Sequence, residues 1–274
     1  MKIIIFGSNG MLGRYLSCYL SESFEVIPLQ RQDYDLSNLE YSTLFQLLQS
    51  KNILENDIII NAAGVIPQAK YQRNLNNRLY FTVNSLFPVM LSLICQQLKV
   101  KMIHITTDCV FSGLKGKYSE QDKHDETNNY GLSKSLGEMG PSTIIRTSII
   151  GEELANQRSL LEWVRSEEGC QIYGYTNHLW NGVTCMQLTE IIKQIIDQKL
   201  FWTGVRHIFS PRSVSKYQLI KMINQIYNLR IQIIEFQTDQ AIDKTLCTIY
   251  DTNQKFEIPD LFTQIVMMKV YKLK

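Results

Sequence analysis

The sequence lacks the features that would commit it to a special class. No long run of like charge occurs, and 28 Lys plus Arg nearly balance 26 Asp plus Glu for a net charge of +2. Nothing in that balance asks for a nucleic acid or a membrane surface, although a small anionic ligand needs only a few local cations. The six cysteines (Cys18, Cys95, Cys109, Cys170, Cys185 and Cys247) form no CxxC pair and no regular spacing. They read as reduced thiols, most of them small buried hydrophobes. The four histidines fall in no ligand pattern, so no metal is expected. No apolar stretch reads as a membrane span, and the run in MKIIIFG stops at glycine too early for a signal peptide. The expected compartment is the cytoplasm. No internal repeat or flexible linker stands out.

What is present is ordinary in amount and regular in order. Hydrophobic residues make up 45% and charged residues 20% of 274. That suits one large α/β domain, or a cofactor domain with a smaller lobe. Ile3 to Phe6, Phe24 to Leu29, Asp57 to Asn61, Val100 to Thr106 and Ser142 to Ser148 read as strands. Helical patterns lie between them, at Met11 to Leu20, Tyr41 to Ser50, Phe81 to Leu98 and Tyr130 to Met139. This rhythm predicts an α/β fold, a doubly wound parallel sheet of Rossmann type, over residues 1–150. The second half is less regular. Thr184 with Gln187, and Ser215 with Gln218, have capping-box spacing ahead of apolar stripes. A smaller, mainly substrate-binding lobe is expected over 151–274, partly interleaved with the sheet. The stretch from about Ile231 carries no clear pattern.

The first strand runs into GSNGMLG, with Gly7, Gly10 and Gly13. Such a loop between strand and helix suits a dinucleotide. One glycine permits the turn, one lets backbone approach a pyrophosphate, and one lets helix and strand pack. Asn9, Met11 and Leu12 fill the loop. At the end of the second strand an acid would read an adenosine ribose. Here Gln30, Arg31 and Gln32 come first, with Asp33 and Asp35 beyond. Arg31 either pairs with a 2′-phosphate, which favours NADP(H) over NAD(H), or is a solvated arginine. Asp35 and Leu36 are expected near the adenine, and Ala62, Ala63 and Gly64 where small residues admit the cofactor.

Tyr130 and Lys134 stand four apart on a predicted helix and so share a face. Lys134 is expected to lower the Tyr130 pKa and to reach the nicotinamide ribose, and Tyr130 to act as general acid toward a carbonyl oxygen. Thr107, at a strand end, can donate to the same oxygen.

The order glycine loop, NAAG, TTD, YxxxK resembles the extended short-chain dehydrogenases/reductases, most closely the dTDP-4-dehydrorhamnose reductase-like group. The segments that carry the likeness are GSNGMLGRYL, DYDLSN, IIINAAGVIPQ, VNSLFP, HITTDCVFSGLKGKYSE, YGLSKSLGE, IIRTSIIGEE and NHLWNGVT. The resemblance implies Thr107, Tyr130 and Lys134 as the catalytic set and Asn84 as the asparagine that supports the site. It implies an NADP(H)-dependent reductase of a 4-keto-6-deoxy nucleotide sugar in surface polysaccharide precursor synthesis, and leaves room for a homodimer. Ile149 stands where relatives carry an aromatic residue against the sugar. Asp108 is followed by Cys109, not by the glutamate of the 4,6-dehydratases. Two other readings stay open: an epimerase-reductase using Cys109 opposite His178, and an NADP-binding regulatory subunit without turnover. Asp108, Cys109, Ile149, His178 and Trp180 are candidate substrate contacts, with Asn177, His178 and Asn181 as polar groups for sugar hydroxyls, Trp180 stacking on a base or sugar, and Arg212 making a diphosphate contact.

Overall fold

Isoleucine runs bounded by a glycine or a small-residue turn make strands that are buried on both faces. The computed structural model, which describes residues 1–67, 77–153, 159–271 and 273, places them at the centre. In chain order the first elements are β1 (Lys2–Phe6), α1 (Met11–Leu20), β2 (Glu25–Leu29), α2 (Tyr41–Ser50) and β3 (Ile58–Asn61). There follow α3 (Asn77–Phe81), a π-helical segment Thr82–Leu86, α4 (Phe87–Leu98), β4 (Lys101–Thr107), α5 (Asn129–Gly137) and β5 (Thr143–Thr147). With β10 (Gly204–His207) these strands form a six-stranded sheet ordered β10-β5-β4-β3-β1-β2. β2, β1, β3 and β4 pair in parallel. Pro28 sits in β2, the edge strand, where a missing donor is tolerated.

The strand order reverses between β1 and β3. A ligand crevice is expected outside the carboxyl ends of strands at such a switch point. Both the glycine loop after β1 and the Ala62–Gly64 turn after β3 are there.

One sequence expectation needs correcting. Asn77–Leu98 is a continuous helix, long and apolar enough by length and composition to cross a membrane. Most of it is buried within the protein instead. Phe87, Leu91, Ile94 and Cys95 share a core with Ile4, Phe6 and Ile59, and the Phe87 ring meets Phe6 edge-on at 5.1 Å. A helix apolar on nearly every side is what the centre of a doubly wound sheet calls for.

The chain divides into two compact units. The first comprises 1–110, 126–146 and 193–205; the second comprises 111–125, 147–192 and 206–274. The elements from β6 (Ile149–Ile150) onward are α6 (Leu160–Ser166), β7 (Gln171–Tyr175), β8 (His178–Trp180), β9 (Val183–Thr184) and α7 (Cys185–Asp197). After β10 come β11 (Val214–Ser215), α8 (Lys216–Tyr227), β12 (Gln232–Phe236), β13 (Ile242–Asp243), α9 (Thr252–Lys255) and α10 (Leu261–Val270).

The stretch beyond Ile231, unreadable in sequence, supplies partners. β12 pairs in parallel with β7, and β13 with β8. Ser215 and Gln218 make a complete capping box on α8. The box expected at Thr184 is only half made. Thr184 Oγ1 accepts from Gln187 N at 3.1 Å, but the Thr184 N–H goes to Gln264 Oε1 on α10, also at 3.1 Å. A tertiary acceptor replaces the local one.

In the first unit, Arg146 on β5 reaches Glu138, the residue that caps α5. Nε donates to Oε1 at 3.0 Å and Nη2 to Oε2, with side chains 2% and 5% exposed. Removing one partner strands the other charge in the core. Arg146→Met is therefore expected to cost about 3–5 kcal/mol in urea unfolding, and Arg146→Met with Glu138→Leu to recover most of it. A single variant as stable as the parent would show that the pair fastens nothing.

Candidate active site

Gly7 has φ +77°, and a Cβ on it would lie 2.6 Å from Ala63 N. A Cβ on Gly13 would lie 2.1 Å from the Gly7 carbonyl oxygen. Both positions therefore require glycine. Gly10 caps α1 without a side chain, and its N–H closes the turn on Gly7 O at 2.9 Å. The loop is held to the end of β2 by Ser8 Oγ donating to Leu29 O at 2.9 Å. Behind it, the first N–H groups of α1 lack intrahelical acceptors, which suits a phosphate. This is a cradle that side chains would fill, and a dinucleotide fits its chemistry.

At the end of β2 both nearby acids serve the backbone. Asp33 Oδ2 accepts from Gln30 N at 2.7 Å, and Asp35 Oδ1 from Ser37 N at 3.0 Å. That bond to Ser37 holds the Asp35 carboxyl below its usual range, and Arg31 adds to the effect. Arg31 is 71% exposed and meets Asp35 Oδ2 at 3.4 Å. Leu36 opens the short helical turn that Asp35 caps.

Asn84, fully buried in the π-helical segment, bridges two parts of the site. Its Oδ1 accepts from Val65 N at 2.9 Å. Its Nδ2 donates to Val65 O at 2.9 Å and to Ser133 Oγ on α5 at 3.1 Å. π segments inside helices often mark such positions. Across this bridge lies Lys134, 6% exposed, with Nζ 2.8 Å from where a Cβ on Gly64 would stand. Gly64 is thus small to admit an ammonium. Gln68, the last residue of that motif, lies outside the described residues.

Tyr130 is partly buried on the first turn of α5, with Tyr80 edge-on at 6.4 Å. Thr107 Oγ1 donates to Asp108 Oδ1 at 3.0 Å and accepts from Cys109 N at 3.1 Å. Burial pushes the Tyr130 phenol well above its ordinary value. Cys109, Asp108 and Tyr80 push the same way, and a hydrogen bond with Thr107 pulls back. The expected lowering of the Tyr130 pKa is not seen: desolvation is the largest influence, and it raises the value. Lys134 is itself pushed down to about 8 by burial, with Glu138 and Cys109 pulling it back up.

The second unit carries Ile149, His178, Trp180 and Arg212. Ile149 pairs with Val183 in a short parallel bridge. His178 Nε2 lies 2.8 Å from Thr238 Oγ1, and its ring rests on Tyr175 at 4.8 Å. Trp180 is 5% exposed, packed on Gly182 with the Lys216 ammonium over its ring, and so offers no open face for stacking. Asn177 and Asn181 bind Thr238 and Leu246 backbone. The polar cluster expected to face a sugar is committed largely to holding the later strands. Arg212 is exposed, and its charge is felt by Asp260.

The family described as RmlD substrate binding domain matches residues 1–244. The chain belongs to that family. It is 24% identical to the spore coat polysaccharide biosynthesis protein SpsK of Bacillus subtilis over 255 residues, 89% of this chain and 86% of that protein. It is 31% identical to the dTDP-4-dehydrorhamnose reductase of Burkholderia thailandensis over 140 residues, 51% of this chain and 45% of that one. That match thus spans about half of the relative. A solved dTDP-4-dehydrorhamnose reductase from Bacillus anthracis, in complex with NADP, has the same fold. Its TM-score is 0.80 at 21% identity, over 98% of both chains.

In this RmlD-family chain the sequence reading missed a cavity. It measures about 430 Å³ in the second unit, and Trp163, Tyr173, Tyr175, His178 and Lys216 line it. Its signal was the alternation in QIYGY. Ile172 and Gly174 point inward, leaving Tyr173 and Tyr175 exposed.

The buried Lys134 allows a sign to be worked out. Its pKa is about 8 folded against 10.5 for a free lysine, so between those values the unfolded chain binds the extra proton. Stability then rises with pH across that window, and the charge costs stability below it. Lys134→Met is expected to be more stable than the parent at pH 7 by roughly 1–3 kcal/mol. The gap should close as pH rises from about 8 to 10.5. Urea unfolding of both proteins against pH checks this; a constant gap would refute it.

Proposed function

We propose that the chain is an NADP(H)-dependent reductase of a 4-keto-6-deoxy nucleotide-diphosphate sugar, serving surface polysaccharide precursor synthesis. The observation that carries this reading is the joining of Thr107, Tyr130 and Lys134 in one unit with the glycine cradle. The family and the names of its relatives support the same reaction class.

The nicotinamide, when bound, supplies the hydride. Tyr130 gives its phenolic proton to the keto oxygen. The phenol is protonated at neutral pH, the form a reductase needs in its acid. Thr107 orients the same oxygen, and Lys134 holds the ribose hydroxyls. Arg31, beside acids already engaged by backbone N–H groups, reads the 2′-phosphate. In the second unit, Tyr173 and Tyr175 suit a nucleobase, and Lys216 a diphosphate. The epimerase-reductase reading is less supported. Cys109 does raise the proton affinity of Tyr130 and Lys134, but His178 is bound to Thr238 and Tyr175.

Purified protein with NADPH and a panel of 4-keto nucleotide sugars is expected to oxidise the cofactor. No oxidation with any of them would overturn the reading. Tyr130→Phe keeps the ring but removes the proton, so turnover should fall about 10²–10⁴-fold with NADPH affinity retained. Near-full activity would mean that another group is the acid. Arg31→Ala should weaken NADPH binding and leave NADH binding nearly unchanged in titrations. Equal losses would show that Arg31 does not read the phosphate.

A further inference from the structure

The turn after β3 is held by a buried chain of hydrogen bonds. Ala63 N donates to Asn61 Oδ1 at 3.0 Å, and Asn61 Nδ2 lies 3.1 Å from His104 Nδ1 on β4. Asn61 and His104 are 0% and 1% exposed, so water offers neither an alternative.

The protons in this chain follow from chemistry. A backbone N–H can only donate, so the amide atom facing Ala63 is the oxygen. The atom facing His104 is then the amide nitrogen, which donates. His104 Nδ1 must accept, and the ring proton must sit on Nε2. That nitrogen has no partner among the described residues, nor has Thr106 Oγ1 two residues on, on the same face of β4. A buried donor left unpaired is costly. The ring therefore keeps its proton on a nitrogen without a partner among the described residues, because Asn61 occupies the other nitrogen.

We infer that His104 is a positioning residue, which as a hydrogen-bond acceptor fixes the Asn61 amide and through it the Ala62–Gly64 turn against the cofactor cradle and Lys134. The turn touches both. Ala62 N is bonded to Phe6 O at 3.0 Å, Ala63 N lies 2.6 Å from where a Cβ on Gly7 would stand, and Gly64 meets Lys134 Nζ. Protonation of His104 would remove the acceptor and turn the amide. Burial, and after it the Lys134 charge, hold the imidazole pKa down to about 3 against a hydrogen bond with the Asn61 backbone that raises it, so the ring is neutral at working pH. The inference rests on the cofactor reading above.

The first test is ¹⁵N NMR of histidine-labelled protein. The His104 ring is expected to bear its proton on Nε2 throughout about pH 5–8. A proton on Nδ1 would overturn the proposal. The second test compares variants by NADPH titration. His104→Leu removes the acceptor and should weaken NADPH binding roughly tenfold. His104→Asn can place its Oδ1 where Nδ1 stood, and should return affinity to within about threefold of the parent. Parental affinity in folded His104→Leu, or no rescue by His104→Asn, would each sink the idea. If His104→Leu does not fold, Asn61→Asp decides. Aspartate still accepts from Ala63 but has no proton for His104, so the ring must move its own proton to Nδ1; a ring unchanged in that variant counts against us. If the parent itself binds no NADPH, the cofactor reading fails and the purpose given to His104 fails with it, while the Nε2 proton stands as a separate result.

Discussion

A buried ammonium sets the terms for the first unit. Lys134 sits inside the protein, where burial works against its charge and draws its pKa down to about 8. Glu138 is the carboxylate that most favours that charge, yet its oxygens are held by Arg146. The carboxylate that favours the ammonium is thus shared with Arg146. Gly64 has to be a glycine to admit it, and Asn84 has to join the turn beside Gly64 to α5. Such an arrangement costs stability at the place where chemistry is needed, as functional sites commonly do.

The same economy of space governs the glycine loop. Gly7 and Gly13 are required by backbone atoms 2.6 Å and 2.1 Å from the positions their Cβ atoms would take. The sheet brings the β1 loop and the β3 turn together because the strand order reverses between them. Small residues on one strand end are therefore demanded by the neighbouring strand. The π-helical segment Thr82–Leu86 adds a local widening of the helix, and Asn84 projects from it to reach Val65 and Ser133 together.

Tyr130 shows how environment outweighs spacing. Four residues separate it from Lys134, which puts the two on one helical face. The pKa of the phenol is nevertheless raised, because its desolvation is the largest effect.

The sequence alone determined the doubly wound half, since buried parallel strands write themselves as short isoleucine runs and their crossovers as amphipathic helices. It also determined the glycine loop, Tyr130 and Lys134 as candidates by local spacing and Thr107 by its place at a strand end, while Asn84 followed from the family resemblance. It was misleading about Trp180 and Asn181, whose partners Lys216 and Leu246 come from distant parts of the chain. The half-made cap at Thr184 has the same origin in Gln264. The pairing of β12 with β7, the cavity beside Tyr173 and the Asn61–His104 bond were decided only by the tertiary structure. Hydrogen bonds and burial between residues far apart in sequence leave no periodic trace in either segment, and proton positions and pKa shifts depend on which groups the fold brings near.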